Sequence, residues 1–208
     1  MSETTGDHDA QYPEAGRRVR ADAKRNLSTL LQAAKEVFAD AGVDAPVRDI
    51  AERAGVGIGT VYRHFPQRTD LIAAVFRQEI EGCADAADAI AAAHPPFEAL
   101  ALWMQRFVEL ASTKRGIAQA LHSGDPAFDG LPARREQRLQ PAFRKLFNAA
   151  VASGDIRAGI EADDFIDAAA TLCMSANGSR PGQAQRWVAL LVDGLRSRAG
   201  QQDDQLRD

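Results

Sequence analysis

Thr60, Tyr62, Arg63 and His64 stand within five residues of one another, and each can hydrogen-bond a phosphate oxygen or a base edge. They close the stretch VRDIAERAGVGIGTVYRHF, residues 47–65. In the same stretch Ile50, Ala51, Ala54, Val56, Val61 and Phe65 recur at the spacing of the inward faces of two short helices. Ala51 is small enough to let a second helix cross closely. Gly55 can take the positive φ that ends the first helix without a Cβ clash. An apolar side held against a neighbouring helix, with a hydrogen-bonding side left outward, is the signature of a helix-turn-helix.

Other chemistries find no support in the residue pattern. Gly55-Val56-Gly57-Ile58-Gly59-Thr60 resembles a phosphate-cradling loop, but such a loop needs a preceding buried strand, and IAERA has a helical pattern. The histidines His8, His64, His94 and His122 are scattered, none paired at i, i+4, so no metal site is expected. No Ser or Cys lies in a nucleophile elbow. Asp163-Asp164 is better explained by a helix start than by acid–base work. Cys83 and Cys173 are too few and too far apart for a disulfide framework or a zinc site, and read as buried thiols. No catalytic residue and no cofactor is therefore expected.

The 208 residues carry a formal net charge of −4, but unevenly. Before Arg17 there are four acids and no Lys or Arg; from Arg17 to Arg68 ten cations face six acids; the remainder is net acidic. A basic segment on an acidic chain is the electrostatic footprint of a module that touches phosphate. No apolar run is long enough to span a bilayer, and the polar, acidic start lacks the features of a secretory signal, so a cytoplasmic protein with no membrane partner is expected.

The composition is Ala-rich and short of strand-like runs, which predicts an all-α protein. The expected organisation is an acidic arm without order over residues 1–16, a DNA-binding domain over 17–68, a helical domain over 69–200 and a frayed tail over 201–208. Helices are expected over about Asp22–Ala41, from Pro46, from Gly57, and over about Asp70–Ala93 and Phe97–Lys114. Further ones are expected over about Ile117–His122, Ala133–Ser153 and Glu161–Asn177, and from near Pro181 onward. Pro141 should kink its helix or mark a boundary.

From about Asp22 to Val75 the chain resembles the DNA-binding domain of the TetR family of transcriptional repressors. The likeness rests on LLQAAKEVFADAGVDAPV, then RDIAERAGVGIGTVYRHF, then the charged turn PQRTDLIAAVF. It covers about a third of the chain and implies a three-helix helix-turn-helix domain followed by a helical effector-binding and dimerisation domain. It implies that Thr60, Tyr62 and His64 touch phosphates while Gly59 and Arg63 lie closest to base edges, with a phosphate contact the alternative for Arg63. Arg68 stands where the family commonly has a backbone-contacting lysine. Arg48 and the lead-in Arg17, Arg18 and Arg20 are further candidates for DNA contact. Gly57 replaces the usual Ser or Thr cap of the recognition helix.

The resemblance also implies a small-molecule pocket in the larger domain, for which Phe76, Trp103, Phe107, His122, Phe143 and Phe147 are candidates, although each taken alone is better explained as core. The last two helices, with Phe165, Leu172, Trp187, Val188, Leu191 and Leu195, are the candidate dimer face. The expected partners are a palindromic double-stranded DNA operator, a second copy of the chain, and a largely apolar effector that releases the repressor from DNA. Two alternatives remain: a small helical enzyme or ligand carrier with a vestigial DNA-binding domain, and a DNA binder or activator without an effector.

Overall fold

The structure, a computed structural model, describes the backbone of residues 12–116, 124–157, 159–176 and 180–196, and side chains within 25–111, 124–157, 159–176 and 180–196. The arm through residue 11, the short helix expected at 117–122 and the tail from Gly200 lie outside the described residues, as do the side chains of Arg17, Arg18, Arg20 and His122. All regular elements among the described residues are helical, and the chain divides into two compact units between Pro66 and Gln67.

The first unit holds α1 (Tyr12–Ala41), α2 (Val47–Ala54) and α3 (Ile58–His64). Helix α1 begins ten residues before the expected Asp22. Its early turns lack apolar anchors but are rich in Ala, Arg and Lys, and its single proline, Pro13, falls in the first turn, where it removes no needed donor. Leu30, Leu31, Ala34 and Val37 form its buried stripe. Pro46 precedes α2, and Gly55 ends it at φ +66°. There the Gly55 N–H donates to the Glu52 carbonyl and the Val56 N–H to the Ala51 carbonyl, a closure that needs a left-handed residue. Ile50 and Ala51 of α2 and Val61 of α3 are buried. Arg53 ties α2 back to α1 through Asp40 at 3.1 Å and Glu36 at 3.8 Å.

The second unit begins with α4 (Arg68–Ala93) and α5 (Pro96–Gly116). A 3₁₀ turn at Pro126–Phe128 leads into α6 (Leu131–Arg134), a π turn at Arg135–Leu139 and α7 (Gln140–Ala152). Helices α8 (Ala162–Ser175) and α9 (Gln183–Asp193) complete it. Asp70 opens α4 by accepting from the Gln67 N–H at 3.0 Å, offsetting one unpaired donor of the first turn. Pro141 marks a boundary within the run expected as one helix. It sits in the first turn of α7, directly after the π turn, whose wider winding absorbs the clash that the proline ring would make in a regular α-helix.

Aromatic side chains weld α5, α7 and α8 together. Phe143 lies at the centre, with ring centroids 5.8 Å from Trp103, 5.5 Å from Phe147 and 6.0 Å from Phe165. The Trp103 indole N–H donates to the Cys83 carbonyl at 2.8 Å and so locks α5 to α4. Exposed ion pairs flank this core. Arg138 bridges Glu81 and Asp85 of α4, Lys145 meets Asp88, and Arg144 meets Asp163 of α8. The hydrogen bond from Arg144 holds the Asp163 carboxyl below its ordinary value, and that from Lys145 does the same for Asp88. This ionic support is present above the ordinary carboxylate pKa and is lost as pH falls through the depressed values.

Phe143 is fully buried and touches three other rings, so truncating it removes both transfer energy and ring contacts. We expect Phe143→Ala to cost about 3–5 kcal/mol in denaturant unfolding; a cost near zero would mean that this cluster does not hold the second unit together.

Candidate functional site

Helix α3 is only two turns long, and its placement rests on one inward residue, Val61, at 1 % exposure. At about 100° per residue, Ile58, Tyr62, Gly59 and Arg63 then fall in a continuous arc of about 140° that starts on the flank of Val61 with Ile58 and reaches the opposite side at Gly59 and Arg63. All four are exposed, Ile58 at 45 % and Tyr62 at 50 %. Thr60 is half-buried, with its N–H given to the Gly57 carbonyl at 2.8 Å, and His64 is exposed beside the half-buried Phe65. Gly57 caps the helix with extended backbone and no side-chain hydrogen bond. A Cβ built on Gly59 would meet nothing within 4 Å, so the middle of the arc is bare backbone open to a close approach.

The cations near α3 in sequence differ in what they do. Arg53 is spent on Asp40 and Glu36 within the unit. Arg63 makes no ion pair among the described residues, and its guanidinium is available to a ligand. Arg48 is 77 % exposed and only loosely paired with Glu52 at 3.7 Å. Arg68, in the first turn of α4, is half-buried. Hydrogen-bonding side chains, arginine and unencumbered backbone on one side of a short helix suit a ligand that offers phosphates beside base edges.

The second unit contains a cavity of about 340 Å³. Its walls are apolar: Phe76 and Ile80 of α4, Phe107, Leu110 and Ala111 of α5, Phe128, Leu131, Leu139, and Ala170 and Met174 of α8. Pro132 and the π-turn residues Arg135 and Glu136 complete the lining, and Arg135 is held by Asp167 of α8 at 2.5 Å. Of the pocket candidates read from sequence, Phe76 and Phe107 line this space. Trp103, Phe143 and Phe147 do not; they are packed into the aromatic core, and His122 lies outside the described residues.

The candidate dimer residues divide in a similar way. Phe165, Val188 and Leu195 are buried within the protomer. Leu172, Trp187 and Leu191 are half-exposed and form a shallow apolar dish with Leu190, which is 70 % exposed. Leu190 and Ile58 are not among the candidates that the sequence suggests. Both could have been found from helical phase, since Ile58 precedes Tyr62 by one turn and Leu190 follows Trp187 by three residues on α9.

Among the described residues no group of His, Cys, Asp or Glu is placed to hold a metal, and no helix is long and apolar enough to cross a membrane. Cys83 and Cys173 are both buried, and desolvation pushes the Cys83 thiol up to about 12, outweighing the attraction of Arg106.

A helix-turn-helix unit followed by an all-helical unit with an apolar cavity defines a DNA-binding regulator class. Residues 30–75 match the profile of the bacterial regulatory proteins of the tetR family, and residues 95–197 match that of the SbtR-like transcriptional regulator C-terminal domain. A TetR transcriptional regulator of Streptomyces coelicolor is 38 % identical and superposes with a TM-score of 0.71, the match covering 83 % of this chain and 99 % of that one. A TetR regulatory protein of Mycobacterium vanbaalenii is 34 % identical with a TM-score of 0.67, over 86 % of this chain and 99 % of that one. Among curated proteins, HTH-type transcriptional regulators of Staphylococcus aureus are 34 % identical over 64 residues, 30 % of this chain; that match spans only 35 % of their own length. The chain belongs to the TetR family: it is a DNA-binding transcriptional regulator and, like its relatives, not an enzyme.

The small residue Ala170 offers a place to plug the cavity from α8. We expect the protein to enhance the fluorescence of the neutral apolar dye Nile red, and Ala170→Trp to remove most of that signal while the helical circular dichroism stays unchanged. Undiminished dye binding would place the apolar site elsewhere. In the folded protein at mildly alkaline pH, Cys83 should also resist a thiol reagent that labels it rapidly after unfolding.

Proposed function

We propose that this regulator is a ligand-responsive repressor that binds a palindromic operator as a homodimer and is released by a small, largely apolar effector. The observation that carries the reading is the division of α3 into a buried Val61 side and an exposed arc of Tyr62, Gly59 and Arg63. Each α3 enters a major groove, and two copies about one helical turn of DNA apart read the two half-sites. Gly59 and Arg63 face base edges. Thr60, Tyr62, His64, Arg48 and Arg68, with the lead-in Arg17, Arg18 and Arg20, meet phosphates.

The dimer face of this reading is the exposed part of α8 and α9, centred on Leu190 and flanked by Leu172, Trp187 and Leu191. An apolar patch of this kind is costly to leave in water and suits a self-complementary contact. Phe165, Val188 and Leu195 support it from beneath rather than by contact.

The effector site is the 340 Å³ cavity. Helix α4 starts four residues after α3 ends, and its Phe76 and Ile80 line the cavity, so a bound molecule acts on the helix that leads out of the reading unit. The effector releases DNA only by binding the state with the wrong α3 spacing more tightly than the competent one.

Fluorescence anisotropy with DNA upstream of the protein's own gene tests this function. Arg63→Ala should weaken specific binding by about 1–3 kcal/mol, the worth of one bidentate arginine–guanine contact, with a smaller effect on unrelated DNA; an equal loss on both would reassign Arg63 to phosphate. Leu190→Glu should turn a dimer into a monomer in sedimentation equilibrium, whereas an unchanged dimer would refute the α8–α9 face.

A further inference from the structure

We infer that Ile58 is a specificity-determining residue, which reads the C5-methyl group of a thymine in the operator half-site. This rests on the DNA-reading role proposed for α3. Ile58 lies in the first turn of α3 and is 45 % exposed, one of few large apolar side chains in that state among the described residues. Packing does not account for it, because Val61 and Ile50 fill the inward side and are almost wholly buried.

Its neighbours on the arc say what it faces. Tyr62 is one helical turn further on and 50 % exposed; Gly59 and Arg63 continue the arc. With no Cβ at Gly59 and nothing within 4 Å of where one would stand, the helix can sink toward the base pairs at the point where Ile58 reaches out. Arg63 on the same helix adds positive charge, and exposed Arg48 adds more to the same unit, the complement of a phosphate-lined groove. On the major-groove floor the only apolar feature of a base pair is the thymine methyl, and an exposed aliphatic side chain on a groove-facing helix matches it. Arg63 lies about 7.5 Å further along the helix axis, roughly two base-pair steps of rise, so the methyl and the base read by Arg63 belong to the same half-site.

The test uses the full-length protein. A preferred half-site is first selected from random duplex DNA. Each of its thymines is then replaced singly by deoxyuridine, which deletes the methyl and nothing else. For the wild type, one replacement should weaken binding about fourfold, the worth of burying one methyl group. For Ile58→Ala the same replacement should change affinity by less than about 1.5-fold, a coupling that a merely structural role for Ile58 does not produce. The inference is overturned if no replacement weakens the wild type, if the penalty is equal in wild type and variant, or if the selected half-site contains no thymine. A wild-type protein that selects no DNA sequence at all overturns the DNA-reading role along with it. Sequence-selective binding with no coupling at Ile58 overturns this inference alone.

Discussion

One buried contact surface sets the outward chemistry of the first unit: Val61 of α3 is sequestered together with Ile50 and Ala51 of α2. A two-turn helix has no independent stability in water, so its rotation about its own axis is decided by which residue is buried. With Val61 inward, Tyr62, Gly59 and Arg63 are outward by geometry, without any further interaction to hold them there. Turning the helix by a single residue would bury Tyr62 or Thr60 in place of Val61 and displace the arc. The glycine closure at Gly55, at φ +66°, fixes where α2 stops and so where α3 can begin. The Arg53 pairs with Asp40 and Glu36 then anchor α2 on α1.

The second unit separates solidity from vacancy in a comparable way. The rings of Trp103, Phe107, Phe143, Phe147 and Phe165 are stacked or tilted on one another where α5, α7 and α8 meet. The cavity lies where Phe76, Phe107 and Phe128 meet smaller or flexible neighbours, Ala111, Ala170 and Met174. The π turn before Pro141 brings Arg135 and Glu136 to its edge, giving an apolar chamber a narrow polar margin. Among the described residues, the π turn thereby supplies the charged groups of the lining.

The all-helical class, the helix-turn-helix and the family were legible because they depend on local signals. These are apolar residues at helical spacing, Gly55 at a left-handed position, and the run GTVYRHF. What was not legible depends on phase and packing between distant elements. Tyr12 as the start of α1 was missed because a long polar helix without apolar anchors looks like an unstructured arm. Trp103, Phe143 and Phe147 look alike in sequence to Phe76 and Phe107; only the packing of α5, α7 and α8 decides which rings fill the core and which face the chamber. Likewise Phe165 and Leu190 are both apolar residues on the last two helices, yet one is sealed beneath the surface and the other stands in water.

The central claim is that the Tyr62 side of α3 faces DNA while the Leu190 side of α9 faces a second copy of the chain. Site-specific photocrosslinking tests it most directly, with benzoylphenylalanine placed at either position in the full-length protein mixed with DNA from upstream of its own gene. The account predicts protein–DNA adducts from position 62 and protein–protein adducts from position 190. DNA adducts from position 190, or none from position 62 when DNA is bound, would contradict it.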